Sequence, residues 1–217
     1  MNRYLLALAL CLLPLAAQAQ ATRQFWAFDH HTEAAATVIT ELIPPRENYR
    51  ATLVSLTYTP AATAHDLVLL KAIAKVSLTA ASAASDTTLD LSSATFGGDT
   101  LASGDYVVLE HGDGTHGLYL GTGLASLVFT VNAISKAANS GADVWIMGAV
   151  TDSTYHQTIK SIASTRTTHY NGEAGLISTG YDIGTYNRDG YGDPLVVYSA
   201  NGTNAGTLNH GAARYER

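Results

Sequence analysis

The sequence predicts an all-β fold: a jelly-roll-like β-sandwich with an inserted small β-barrel, preceded by an N-terminal hydrophobic, signal-like segment. Three observations predict it. Short β-branched and aromatic segments recur at a spacing of about ten residues, with turn residues between them. Helix signals are few. The texture also changes twice, near residues 72 and 150, and after the second change longer polar loops replace the regularly spaced strands.

Those shifts divide the chain into a signal-like segment over 1–20, a sandwich over 21–72 plus 150–217, and an inserted barrel over 73–149. Met1-Asn2-Arg3 is a short cationic start, Tyr4 to Ala17 is apolar, and Ala17-Gln18-Ala19 offers a small-x-small cleavage pattern. The run is shorter than the roughly 20 residues of a membrane-spanning helix. It reads as a secretory signal peptide cleaved after Ala19 or Ala21. The competing reading is an uncleaved arm that docks on a neighbouring subunit.

Residues 31–42 (HTEAAATVITEL) carry some helix character, but Thr37-Val38-Ile39-Thr40 favours a strand over 37–43, and Pro44-Pro45 ends either element. Strands are then expected over 53–58, 66–71, 76–79 and 88–91, with a flexible small-residue stretch over 80–85. Tyr106-Val-Val-Leu-Glu110 and His116 to Gly121 form a hairpin around Asp113-Gly114, a pair suited to a type I′ turn. Residues 127–131 and 143–147 complete the regular series. Further strands are expected over 161–169, 195–199 and 207–212, with Pro194 opening the second of these.

Composition narrows the function. Only 14% of the 217 residues are charged, below the roughly 25% of an average domain, while 47% are hydrophobic. A net charge of −6 with four lysines and no basic cluster argues against nucleic acid as a partner. The single cysteine, Cys11, lies in the leader, so stability must come from packing and backbone hydrogen bonds.

The candidate sites resolve toward structure. His111, Asp113 and His116 sit within metal-ligand spacing, yet a tight hairpin also requires Asp113-Gly114, and the turn is the expected reading. His30 and His31 diverge on a strand, and His65 opens one. There is no nucleophile elbow, HExxH motif or phosphate-cradling glycine loop, and Glu33, Glu41, Glu47, Glu110, Glu173 and Glu216 are scattered. No catalytic residue, cofactor or metal is expected. Asn201-Gly-Thr203 matches a glycosylation sequon but reads as a turn. Tyrosines crowd the last third, and Tyr181, Tyr186 and Tyr191 form the candidate contact surface, because Tyr supplies area and a hydroxyl at low entropic cost.

Residues 51–70 (ATLVSLTYTPAATAHDLVLL), the segment 76–93, the block 102–109 followed by Asp113-Gly-Thr115, and the tail 193–215 resemble bacteriophage and prophage virion structural proteins. The resemblance covers most of residues 45–217 and rests on short motifs. It implies a β-rich, capsid-associated or decoration protein without catalytic residues. The leader departs from that pattern, because phage heads assemble in the cytoplasm. Either the leader is a retained docking arm, or a virion-type module serves the cell envelope.

The function expected is therefore a non-enzymatic subunit that self-associates, for instance as a trimer, and binds a neighbouring lattice or capsid protein. Its location would be the virion or, with the leader cleaved, the periplasm, cell surface or exterior. The alternative is a secreted or surface adhesion module that binds glycan through Tyr181, Tyr186 and Tyr191.

Overall fold

Runs rich in Val, Leu, Thr and Tyr, separated by Gly, Pro, Asn and Asp, become extended backbone throughout the computed structural model. It describes residues 24–28, 31–32, 40–60, 65–96, 99–149, 156–162, 168–171, 177–178, 192–199 and 206–216. The signal-like segment over 1–20 lies outside them. Among the described residues every regular element is a strand. In chain order these are β1 (Gln24–Phe28), β2 (His31–Thr32), β3 (Thr40–Ile43), β4 (Arg50–Pro60), β5 (His65–Lys71), β6 (Ala74–Ser77), β7 (Thr88–Asp90), β8 (Thr95–Phe96) and β9 (Asp99–Thr100). They continue with β10 (Asp105–Glu110), β11 (His116–Ala125), β12 (Val128–Val131), β13 (Asp143–Ala149), β14 (His156–Ile162), β15 (Thr168–Asn171), β16 (Ile177–Ser178), β17 (Leu195–Ser199) and β18 (Gly206–Glu216).

Among the described residues the ladders are all antiparallel and build three main sheets. One runs β1-β18-β4-β15, with β16 also on β4 and β2 also on β18. A four-stranded sheet runs β14-β5-β17-β3, and a six-stranded sheet runs β6-β13-β10-β11-β12-β7. The small β8-β9 pair stands apart. β5 and β14 pair side by side, His156 opposite Leu70, as the two arms of a hairpin do. The whole six-stranded sheet lies between those arms in sequence.

The six-stranded sheet curls but does not close, which corrects the expected barrel. Its edges β6 and β7, of four and three residues, form no ladder with each other. They meet at the single bridge Leu78–Leu91, fixed by Thr79 N to Asp90 O (2.8 Å) and Ser92 N to Ser77 O (2.8 Å). The expected flexible stretch over 80–85 is also tied down. Ser82 and Ala138 exchange backbone bonds at 3.0 and 2.9 Å, and Ser85 N donates to Ile134 O.

Two faces of the same strands fill two cores. Val107, Leu109, Val144 and Ile146 point into the curl with Leu89, Leu91, Tyr119 and Phe129. Tyr106, Val108, Trp145 and Met147 point outward onto Val68, Leu70, Val196 and Tyr198 of the four-stranded sheet. Strands buried on both sides read as unbroken apolar runs rather than alternating ones, which explains YVVL and VWIM. The four-stranded sheet is itself a middle layer. Leu69, Leu195, Val197 and Ile43 on its other face are buried, as are Ala51 and Leu53 of β4 and Ala213 and Tyr215 of β18. Tyr215 Oη donates to Pro44 O at 2.7 Å and ties that last sheet to the end of β3.

Two local expectations also change. The single strand expected over 161–169 is two strands in different sheets, β14 ending at Ile162 and β15 starting at Thr168. The hairpin at Asp113-Gly114 is not type I′. Only Gly114 has positive φ (76°), within a five-residue loop closed by His111 N to Thr115 O (2.8 Å). Asp113 instead serves as an acceptor, taking Thr115 N at 3.0 Å and Thr115 Oγ1 at 2.6 Å.

Candidate functional site: a cleft beside β3

Pro44-Pro45 stops β3 because neither residue can donate a ladder bond, and the chain turns through Arg46 to Tyr49. Asn48 takes positive φ (62°), and Tyr49 N closes on Arg46 O at 3.0 Å. Gly192 N donates to Tyr49 O (2.8 Å) and pins the loop to the approach to β17. The Arg46 guanidinium lies 5.5 Å from the Tyr49 ring centre and 5.4 Å from that of Tyr215, a double cation–π contact that rigidifies the loop. Burial pushes the Tyr215 hydroxyl up to about 12, against the pull of Arg46, so it stays a donor to Pro44 O.

This loop faces the outer side of the six-stranded sheet across two adjoining cavities of about 620 and about 490 Å³. Pro45 and His116 line both. The larger is bounded by Glu41 and Leu42 of β3 on one side and by Gly114 to His116 on the other. The smaller is floored by Lys75, Glu110, Asp143 and Trp145.

Strand register brings the floor together. Glu110 sits opposite His116 across β10 and β11, and Lys75 opposite Trp145 across β6 and β13. Lys75 pairs with Asp143, and its ammonium stands 5.0 Å from the Trp145 ring centre. His116 meets the same ring edge-on, centroids 5.6 Å apart. Glu110 Oε2 accepts from Asp143 N at 3.3 Å. Burial lowers the His116 pKa, Glu110 and Asp143 oppose that shift, and His111 adds to it. The ring is therefore neutral at pH 7. Trp145 is buried, and its Nε1 finds no hydrogen-bond partner among the described residues. Each base on this floor is set against an acid or a ring.

The sequence-derived metal candidate comes apart in three dimensions. His111 points inward and is buried, whereas His116 points outward into the cleft. Asp113 binds Lys136 Nζ at 2.8 Å, and this pair, with the two Thr115 bonds, holds its carboxyl far below the usual range. No metal-holding group of three His, Cys, Asp or Glu occurs among the described residues.

The protons around His111 can be placed. Thr115 Oγ1 gives its one proton to Asp113, so His111 Nδ1 must donate to Thr115 Oγ1 (3.0 Å). The neutral ring then accepts at Nε2 from Tyr119 Oη (2.8 Å), which accepts from Ser135 N (3.0 Å) and Ser135 Oγ (2.9 Å). This chain locks the hairpin loop that forms one wall of the cleft.

Tyr181, Tyr186 and Tyr191, the expected contact surface, lie outside the described residues, as do Asp29, His30 and the sequon at 201–203. The cleft residues Glu110, His116, Lys75, Asp143 and Trp145 were not grouped by sequence reasoning. The available signal was a charged or polar residue at the end of each apolar run, but register decides which ends meet.

No protein-family model matches the chain, and no curated protein does. Among solved structures it is similar to two of bacteriophage P23-77. One is the VP16-VP17 complex of the two major capsid proteins, at TM-score 0.19 and 11% identity, covering 89% of this chain and 99% of that one. The other is the capsid protein VP17, also at TM-score 0.19 and 11% identity, covering 90% and 97%. At that TM-score the likeness carries no argument about fold or activity. Among the described residues no helix is long and apolar enough to cross a membrane.

Proposed function

We propose that the chain is a non-enzymatic structural subunit that works through protein–protein contacts, as a capsid-associated or decoration protein of a virion. In this reading residues 73–149 are an inserted module on a jelly-roll-like sandwich formed by 21–72 and 150–217. The observation that carries the proposal is the four-stranded middle sheet. The described side chains of β5 and β17 are buried on both its faces, and among the described residues its outer strands β3 and β14 each pair on one side only. A sheet covered above and below can extend only sideways, and unpaired edge backbone is a template for another chain. The low fraction of charged residues supports the same reading, because such a surface is less costly to desolvate.

Light scattering coupled to size exclusion, together with co-sedimentation with purified particles, tests the proposal. The expected result is a defined oligomer or particle-bound protein. A chain that stays monomeric at every concentration and sediments with no particle refutes it.

A further inference from the structure

The loop between β3 and β4 carries two charges that the fold leaves unanswered. Among the described side chains the other bases are accounted for. Lys75, Lys136 and Arg214 each pair with an acid, Lys71 is buried, and Arg50 is half-buried and engaged within the fold. Arg46 is exposed, and its guanidinium meets only the rings of Tyr49 and Tyr215. Ring contacts occupy no strong acceptor, so the N–H fork that suits a carboxylate stays free. Glu47, next in the chain, is also exposed and forms no ion pair or side-chain hydrogen bond with a described residue.

An acid and a base side by side, both exposed and unpaired, make a patch that matches itself across a symmetry axis, the base of one copy meeting the acid of the next. At net charge −6 the copies repel one another at long range, so a lasting contact has to set bases against acids. Resting on the assembly reading above, we propose that the loop over 44–49 is a contact between copies of this chain, with Arg46 of one copy bound to Glu47 of another. The loop is already pinned by Tyr49 N to Arg46 O (3.0 Å) and Gly192 N to Tyr49 O (2.8 Å), so it loses little freedom on binding. Half-buried Leu42, Pro44 and Pro45 beside the pair add apolar area, and Arg and Tyr are residue types enriched in such contacts.

The test uses the full chain. R46K keeps the charge and supplies an amine. In an equal mixture of isotope-labelled and unlabelled R46K chains, a zero-length carbodiimide should join the new amine at position 46 to Glu47 of another copy, seen by mass spectrometry as a labelled–unlabelled peptide pair. E47R sets base against base and should weaken assembly, read by light scattering against concentration, by about tenfold or more while circular dichroism stays unchanged. Assembly that proceeds unchanged in E47R overturns this contact and leaves the assembly reading standing. So does a cross-link from position 46 to a different acid, or none at all, in an assembling R46K protein. A wild-type chain that never assembles overturns both.

Discussion

Alanine at Gly121 is the sharpest test of the curled sheet. Gly121 lies on β11 opposite Val131, and its missing side chain is where the ring of Phe129 sits. A methyl group there would come within 2.7 Å of Phe129 Cε2 and 2.9 Å of Cε1, and closer still to Cζ. Carbon atoms in contact stand about 3.5–4.0 Å apart, so the ring would have to retreat by about 1 Å or more. Phe129 is fully buried among Leu89, Leu91 and Val131, which leaves it nowhere to go. Overpacking of this kind costs about 1–3 kcal/mol, and the full burial of the ring points to the upper end. For a chain of this length a loss near 3 kcal/mol lowers Tm by about 6–12 °C. Urea denaturation and thermal melts of G121A read the loss directly. Replacing Phe129 with Leu removes the obstruction at a cost of its own, so G121A combined with F129L should lose less than the two single losses added together. A G121A protein as stable as wild type, or strict additivity in the double variant, would falsify the ring-over-glycine packing.

Tyr119→Phe removes the hydroxyl that serves His111 Nε2 and Ser135 N, and should cost about 1–3 kcal/mol in urea unfolding. Burial lowers the His111 pKa, so the unfolded chain takes up the proton first as pH falls. Stability should therefore be full above about pH 6.5 and decline below it, and unfolding curves at pH 7.5 and 5.5 should show a smaller difference for H111N. Lys71 behaves in the opposite range. Burial lowers its pKa to about 8, from 10.5, so the unfolded chain holds the extra proton between those values. Stability should rise with pH across that window, and K71M should flatten the rise.

Much of the fold was legible because burial leaves a mark on composition. Tyr106 to Leu109 and Val144 to Met147 are unbroken apolar runs, and they are the strands with a core on each side. The strand signal at 37–43 also held where it is described, in β3, over the helical character of the preceding alanines. Closure was not legible. Whether β6 and β7 join is set by the curl of the sheet, which brings them together only at the Leu78–Leu91 bridge just beyond their ends. The turn at Asp113-Gly114 was located but mistyped, because Asp113 found a better use for its carboxylate on Thr115 than a positive φ. The cleft was invisible for another reason. Its members come from β3, β6, β10, β11 and β13, and only register and the stacking of sheets bring them to one place.

The neighbourly pairing of β5 with β14 has a consequence for how the chain reaches its native state. Residues 72–155 separate the two arms, and bringing together ends so far apart carries a large entropic penalty. Once β6 pairs with β13, Ala74 beside Ile146, the exit and return points are already close, and the remaining closure becomes easier by about 2 kcal/mol. The excursion should thus acquire order first and act as a clasp that lets the surrounding layers zip up around it.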